Sequence, residues 1–340
     1  MTHEFQKIVE SHLKARKNKL KTVLVTVVAL EGSSYRRPGV RMLIREDGKM
    51  TGAVSGGCVE KEILRQSATV FKSGIAKVMM YDGRYRLGCE GILYILIEPF
   101  LLNETFLTEF NRTIKERTAF SIISYFQKEE SSDASFGSVI FFENGTHFPL
   151  SEGFEKTSEE NKIETFTQRL KPSLKLIIIG AEHDSVQLCA LAALNGWEVI
   201  IVAPEDDART LENFPGALDV INSRAQNFDY KNIDEETAVI LMTHSFTKDL
   251  QFLKELLERE IKYIGILGPV KRREQLFQKI IEDSPDVNPL SFEKIHAPAG
   301  INIGAETPQE IAVSIISEIL AVFRGQTVFQ LKERNGRIHS

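Results

Sequence analysis

The residues best equipped for chemistry are the cysteine and glycines of Ser55-Gly56-Gly57-Cys58-Val59-Glu60. Val59, Ile63, Val70 and Phe71 recur at roughly helical spacing up to Gly74, which predicts a helix with Cys58 at or next to its first position. Free amide N–H groups and the positive end of the helix dipole favour an anion there. The thiol is therefore expected to ionise more easily than a free cysteine, whose pKa is about 8.5. A thiolate is both a nucleophile and a soft metal ligand. Gly56 and Gly57 allow unusual dihedrals and let a ligand approach the amides, as a phosphate-binding turn requires. A small thiol packed behind a turn is the competing reading. Arg36 and Arg37, in Glu31-Gly32-Ser33-Ser34-Tyr35-Arg36-Arg37-Pro38-Gly39, could clasp a phosphate bidentately or stand solvated at the surface. Cys89 lies in a second glycine turn, Gly88-Cys89-Glu90-Gly91. If the two turns face each other, Cys58 and Cys89 share a pocket with the two arginines.

The elements that must position these residues follow from the apolar pattern. Residues 4 to 18 read as an amphipathic helix, and Thr22 to Leu30 as a buried β-branched strand emptying into the arginine loop. Alternation at Val40, Met42 and Ile44 with Asp47-Gly48 predicts a hairpin over 40–54, whose second arm delivers Cys58. Residues 1–100 are expected to form one mixed α/β domain, 101–171 a connecting subdomain with linker, 172–324 a Rossmann-like domain, and 325–340 a tail. From Leu174 the order is strand, helix, strand, as in a doubly wound parallel sheet with crossover helices. Thr307, Pro308 and Glu310 form a helix start with cap, first-position proline and capping-box glutamate.

Composition excludes several classes. A formal charge of −5 argues against a general nucleic-acid binder. No apolar run reaches the roughly 18 residues that cross a bilayer, and the first residues lack a signal peptide's apolar region, so a cytoplasmic protein is expected. Cys58, Cys89 and Cys189 are too few and scattered for a disulfide framework or paired zinc site.

A dinucleotide turn wants G-x-G-x-x-G, and the chain offers Gly180-Ala181-Glu182-His183-Asp184-Ser185. Glu182 puts a negative side chain where the pyrophosphate would lie, and Ala203-Pro204 stands where an acid should hold the ribose, so NAD in the usual pose is not expected. Another anion could use Thr243-His244, Gly268, Lys271 to Arg273 and His296-Ala297-Pro298-Ala299-Gly300. His183, His244 and His296 fall at predicted strand ends, where ligands of such sheets bind. Taken singly, each reads more readily as a satisfied structural histidine.

Gly32-Ser33-Ser34-Tyr35-Arg36-Arg37-Pro38-Gly39, Ser55-Gly56-Gly57-Cys58-Val59-Glu60, Gly88-Cys89-Glu90-Gly91, His296-Ala297-Pro298-Ala299-Gly300 and Gly304-Ala305-Glu306-Thr307-Pro308 together resemble the XdhC/CoxI family. These are accessory proteins of xanthine dehydrogenase and related molybdenum hydroxylases. Tyr35, Glu90 and Glu182 depart from the proline, glycine and glycine usual at those places. The resemblance implies a molybdenum-cofactor (molybdopterin) chaperone that holds the cofactor while a cysteine desulfurase exchanges an oxo ligand for sulfido, then passes it to the apo-hydroxylase. It also implies a homodimer, and an accessory factor rather than a catalyst. Cys58 would ligate the metal, with Ser55, Gly56, Gly57, Arg36, Arg37 and Cys89 as its setting and His183, His244 and His296 as further cofactor-binding candidates. The alternative is an NAD(P)-dependent oxidoreductase built on the Rossmann-like domain.

Overall fold

The β-branched run at Thr22 needs cover on both faces, and the first half of the chain is built to provide it. A computed structural model describes residues 1–32, 37–55, 57–83, 91–151, 154 and 163–333, with only the backbone of Cys58 and Leu331. Arg36, Gly56 and Cys89 lie outside the described residues. The chain divides into two compact units, Met1–Pro172 and Ser173–Ser340.

The first unit runs α1 (Thr2–Lys17), β1 (Thr22–Glu31), β2 (Arg41–Arg45), β3 (Met50–Gly52), α2 (Cys58–Ser73), β4 (Lys77–Asp82), β5 (Ile92–Pro99), α3 (Glu104–Lys115), β6 (Phe120–Phe126), β7 (Ser131–Ser132), β8 (Gly137–Phe142), β9 (His147–Pro149) and β10 (Glu164–Leu170). Two antiparallel sheets result, ordered β3-β2-β1-β5-β4-β7 and β10-β6-β8-β9. Val23, Val25, Val27, Met42 and Ile44 pack beneath Val59, Ile63 and Val70 of α2. The alternate residues Leu24 and Leu43 meet Phe5 and Ile8 of α1, Phe106 and Phe110 of α3, and Phe120 and Ile140 of the second sheet. That core is shared, so residues 101–171 do not stand apart from the first hundred as a connecting subdomain. A strand read as continuously apolar is here antiparallel, and it is buried on both faces because a helix covers one and a sheet the other.

A polar chain crosses between the two sheets. Glu98 on β5 is fully buried and accepts from the Ser138 hydroxyl at 2.6 Å and the Ser138 amide at 2.8 Å, both on β8. Ser138 in turn lies 2.8 Å from Ser124 on β6. Burial pushes the Glu98 carboxyl up to about 7, with the Ser138 bonds and Arg41 opposing. Arg41 donates to the Gly39 carbonyl at 3.2 Å and to Gln168 on β10, and burial pulls it down to about 10.

The second unit contains β11 (Lys175–Ile179), α4 (His183–Leu194), β12 (Glu198–Ala203), β13 (Asp219–Asn222), β14 (Thr237–Leu241), α5 (Phe246–Leu257), β15 (Tyr263–Ile266), α6 (Val270–Asp283), β16 (Ile295–His296) and α7 (Pro308–Arg324). Its sheet is parallel throughout, ordered β13-β12-β11-β14-β15-β16, so the winding reverses between β11 and β14. Leu188, Cys189 and Ala192 of α4 and Ile315, Ile316 and Ile319 of α7 cover one face. Leu253, Leu256 and Leu257 of α5 and Leu276 and Ile280 of α6 cover the other. This is the expected doubly wound Rossmann-like arrangement. Thr307 and Glu310 close the expected capping box on α7. Among the described residues no helix is long and apolar enough to cross a membrane.

Candidate functional site

In the first unit the hairpin hands directly to α2. Val54 and Val59, both buried, pin the turn from either side to the core under α2. Gly57 is the N-cap at φ 61° and ψ −68°, a backbone region that a side chain disfavours, and a Cβ built there would meet no atom of the described residues within 4 Å. Among the described residues no side chain caps the helix, so its first amides keep their capacity to donate to a ligand. Cys58 is the first helical residue, as the spacing predicts. Glu60 folds back so that its Oε1 accepts from the Ser55 amide at 2.8 Å, which ties the turn to the first turn of the helix.

Of the other residues expected here, Arg37 is exposed at the end of the loop after β1. Gly39 anchors that end, donating its amide to the Val27 carbonyl at 2.8 Å. Arg41 was not singled out from the sequence, yet it holds the same end of the loop through the Gly39 carbonyl. Its signal was weak, an arginine at the start of a short strand that also ends on one. Among the described residues no group of three or more His, Cys, Asp or Glu could hold a metal ion. Cys189, the third cysteine, is buried behind α4 with its Sγ 3.6 Å from the Pro215 carbonyl, and burial pushes its thiol up to about 11. It is a packing residue.

In the second unit a crevice of about 820 Å³ opens at the carboxyl ends of the strands, where the winding reverses. Gly180 after β11, Ala203 at the end of β12, Ser223 after β13 and Thr243 after β14 all line it. Gly180 has φ 133°, and a Cβ there would collide with the Met242 carbonyl, so the first glycine of the turn serves close strand packing. Ser185 is fully buried and donates to the Glu182 carbonyl at 2.5 Å. Glu182 caps α4 through its backbone, while its exposed carboxylate meets Arg209 at 3.2 Å. Arg209 also donates to the Ala181 carbonyl and pairs with Asp207. The hydrogen bond from Arg209 is the main cause holding the Asp207 carboxyl below its usual range.

None of the three candidate histidines is among the residues lining this crevice. His183 is the first residue of α4 and exposed. His244 follows β14 at φ 55°, with its Nε2 3.9 Å from the Asp184 carboxylate. His296 stacks on Tyr263 at 4.4 Å, and its Nδ1 lies 3.3 Å from Glu318. Glu318 also accepts from the Tyr263 hydroxyl at 2.7 Å and the Gly300 amide at 2.8 Å. Burial alone would raise the Glu318 carboxyl, but the bonds from His296, Tyr263 and Gly300 outweigh it and hold it low. His296 is therefore locked into a network that fixes the loop ending at Gly300.

The basic run expected to serve an anion is largely committed elsewhere. Arg272 pairs at 2.6 Å with Asp249, which is 1% exposed and also accepts from the Thr243 hydroxyl at 2.6 Å. Arg273 donates to the Ala297 carbonyl at 3.0 Å. The cations beside the crevice are instead Arg209, Arg224 and Lys248. Sequence reading missed them because they are scattered singly along the chain and converge only when the strand ends assemble.

Comparison with known proteins places these features. Residues 15–82 match the model described as the XdhC and CoxI family, and residues 176–319 match the XdhC Rossmann domain. The chain is 28% identical over 320 residues to a protein of Bacillus subtilis described as a probable xanthine dehydrogenase subunit, covering 88% of this chain and 92% of that protein. It is 24% identical over 327 residues to the "Molybdenum cofactor insertion chaperone PaoD" of Escherichia coli, covering 95% and 90%. A crystal structure titled as a xanthine dehydrogenase from Bacillus halodurans superposes with a TM-score of 0.74 at 25% identity, covering 94% of this chain and 97% of that one.

Proposed function

The chain belongs to the XdhC and CoxI family, and from that premise we propose that it binds the molybdenum cofactor as cargo, protects it during sulfuration and delivers it to a xanthine dehydrogenase-type hydroxylase. The observation that carries the reading is the start of α2, where a first turn capped by no described side chain, a Gly57 cap with no described residue within 4 Å of its Cβ position and Cys58 at the first helical position coincide. An anionic phosphate suits free amides at a helix start, and molybdenum suits a thiolate whose ionisation the helix dipole assists. In this reading Cys58 ligates the metal, while Ser55, Gly56 and Gly57 cradle the anionic end of the pterin. Arg36, Arg37 and Cys89 are the further residues assigned to cofactor binding in this reading.

The similarity to PaoD, over nearly the whole of both chains, supports cargo handling rather than turnover. A cysteine desulfurase and an apo-hydroxylase are the partners such a role requires, and a second copy of this chain and the cytoplasm complete the reading. The test is retention. Purified protein is mixed with molybdenum cofactor under reducing, oxygen-free conditions, separated by gel filtration and assayed for bound molybdenum. The wild type should retain stoichiometric metal and Cys58→Ala should lose it. Unchanged retention in Cys58→Ala would sink the site assignment, and no retention by the wild type would sink the role.

A further inference from the structure

We propose that the crevice of the second unit is a separate binding site for a ribonucleoside 5′-monophosphate. Several of its charges are already spent. Glu205 pairs with Arg224 at 2.6 Å across the loops after β12 and β13. Arg209 is divided between Asp207, Glu182 and the Ala181 carbonyl. Two charged lining residues remain whose side chains enter no hydrogen bond or ion pair among the described residues, Asp206 just beyond the end of β12 and Lys248 in the first turn of α5. The crevice therefore presents one carboxylate and one ammonium outside any hydrogen bond or ion pair among the described residues, with Lys248 also helping to hold the Asp207 carboxyl low.

That lining of opposite charges suits a ligand that carries both a vicinal diol and a single anion. A ribose diol donates two hydrogen bonds to a carboxylate, and the carboxyl end of the second strand is where α/β sheets of this winding hold a ribose. A phosphate accepts from Lys248 and from the amides opening α4, which no side chain caps. The lining also includes the apolar side chains of Ile179, Val202 and Phe252, against which a base can pack, and the amide side chains of Gln226 and Gln251, which can pair with its edge. At about 820 Å³ the crevice lies within the roughly 300–1,000 Å³ typical of small-molecule sites.

The same geometry limits the ligand to one phosphate. A pyrophosphate needs a second glycine where the backbone of Glu182 carries its carboxylate, and Arg209 already neutralises that carboxylate from outside the turn. A dinucleotide would have to bring its second phosphate against Glu182 and displace that pair.

Isothermal titration of the full chain with the four ribonucleoside 5′-monophosphates, their 2′- and 3′-deoxy analogues, inorganic phosphate and NADH tests this. At least one monophosphate should bind, and its deoxy analogues and the Asp206→Asn variant should each bind about tenfold more weakly. The deoxy penalty should vanish in Asp206→Asn, because the carboxylate and the diol are one interaction. Lys248→Gln should weaken the monophosphate about tenfold and leave the unphosphorylated nucleoside unchanged, and NADH should bind at least tenfold more weakly than the monophosphate. Both positions are exposed, so the variants keep the fold. No binding of any monophosphate at millimolar concentration overturns the proposal. So does binding that ignores the diol, or that both variants leave unaltered. Inorganic phosphate competing as well as the nucleotide would reduce the site to an anion hole and equally overturn it. Molybdenum retention by Lys248→Gln and nucleotide binding by Cys58→Ala, measured separately, keep the failure of this site distinct from failure of the chaperone reading.

Discussion

Helices α2 and α4 both begin behind a glycine-containing turn and both lack a side-chain cap, but they meet an approaching anion differently. At α2 the capping residue is Gly57, and no described residue stands within 4 Å of where its side chain would be. At α4 it is Glu182, whose carboxylate is tied to Arg209, and the glycine before it is pressed against the end of β14. The turn in the first unit thus leaves its amides approachable, whereas the turn in the second is packed from behind and charged in front. Glycine in a turn carries two distinct meanings, ligand access at Gly57 and close backbone packing at Gly180.

The interiors differ in a parallel way. In the second unit Asp249 and Glu318 are partnered on several sides. Both units bury nitrogens that find no partner among the described residues, Arg259 Nε and Arg272 Nε in the second and His12 Nε2 and Arg41 Nε and Nη2 in the first, but the first also holds His12 and Glu98, which burial moves to about 4 and about 7. The first unit's stability should therefore respond more strongly to pH.

The largest effect expected from breaking the comparison is at Gly180. Gly180→Ala forces a disfavoured φ and drives a Cβ into the Met242 carbonyl, for a cost of about 4 kcal/mol. Urea unfolding should show the loss in the second unit, and a loss below about 1 kcal/mol would refute the packing role.

Next come the titrations of the first unit. Burial is the larger cause, and Arg16 the smaller, that lowers His12 to about 4 from an ordinary 6.5. The unfolded chain therefore binds the proton first, and stability is lost as pH falls from 6.5 to about 4. Glu98 works oppositely. Its carboxyl is raised to about 7 from an ordinary 4.5, so its stability is full below 4.5 and lost as pH rises to about 7. Each slope is worth about 3 kcal/mol, and the two largely cancel in the wild type. Unfolding curves between pH 4 and 7 should therefore rise with pH in Glu98→Gln and fall with pH in His12→Asn. Parallel curves for the two variants would remove this account.

Gly57→Ala should cost about 1 kcal/mol, since only the positive φ opposes it. A loss as large as that at Gly180 would mean that the two glycines serve the same purpose. Smallest is Glu182→Gln, which gives up an exposed ion pair and should shift stability by less than about 0.5 kcal/mol. Its effect should appear instead in nucleotide titrations, where a second phosphate becomes easier to accept.

Much of this molecule was legible in the chain. Local signals have local causes, so the helix start at Cys58, its stop at Gly74, the Asp47-Gly48 hairpin and the Thr307–Glu310 capping box could be read from spacing alone. The parallel sheet after Leu174 was equally legible, because buried strands and crossover helices alternate with a period that few folds share. The resemblance to a family rested on the same short motifs.

What the sequence alone could not decide was which distant residues meet. The histidines near strand ends promised a common site, but His296 is spent on Glu318 and Tyr263, and none of the three lines the crevice. Arg272 and Arg273 looked like free positive charge and are tied to Asp249 and the Ala297 carbonyl. Arg209 and Lys248 gave no signal, since nothing in their neighbours announces that strand ends far apart in sequence will gather around them. The chain by itself determined the elements and their caps, because each depends on a few adjacent residues. The tertiary structure alone decided which charges are neutralised, because a charge is free or spent according to what packing brings within about 4 Å of it.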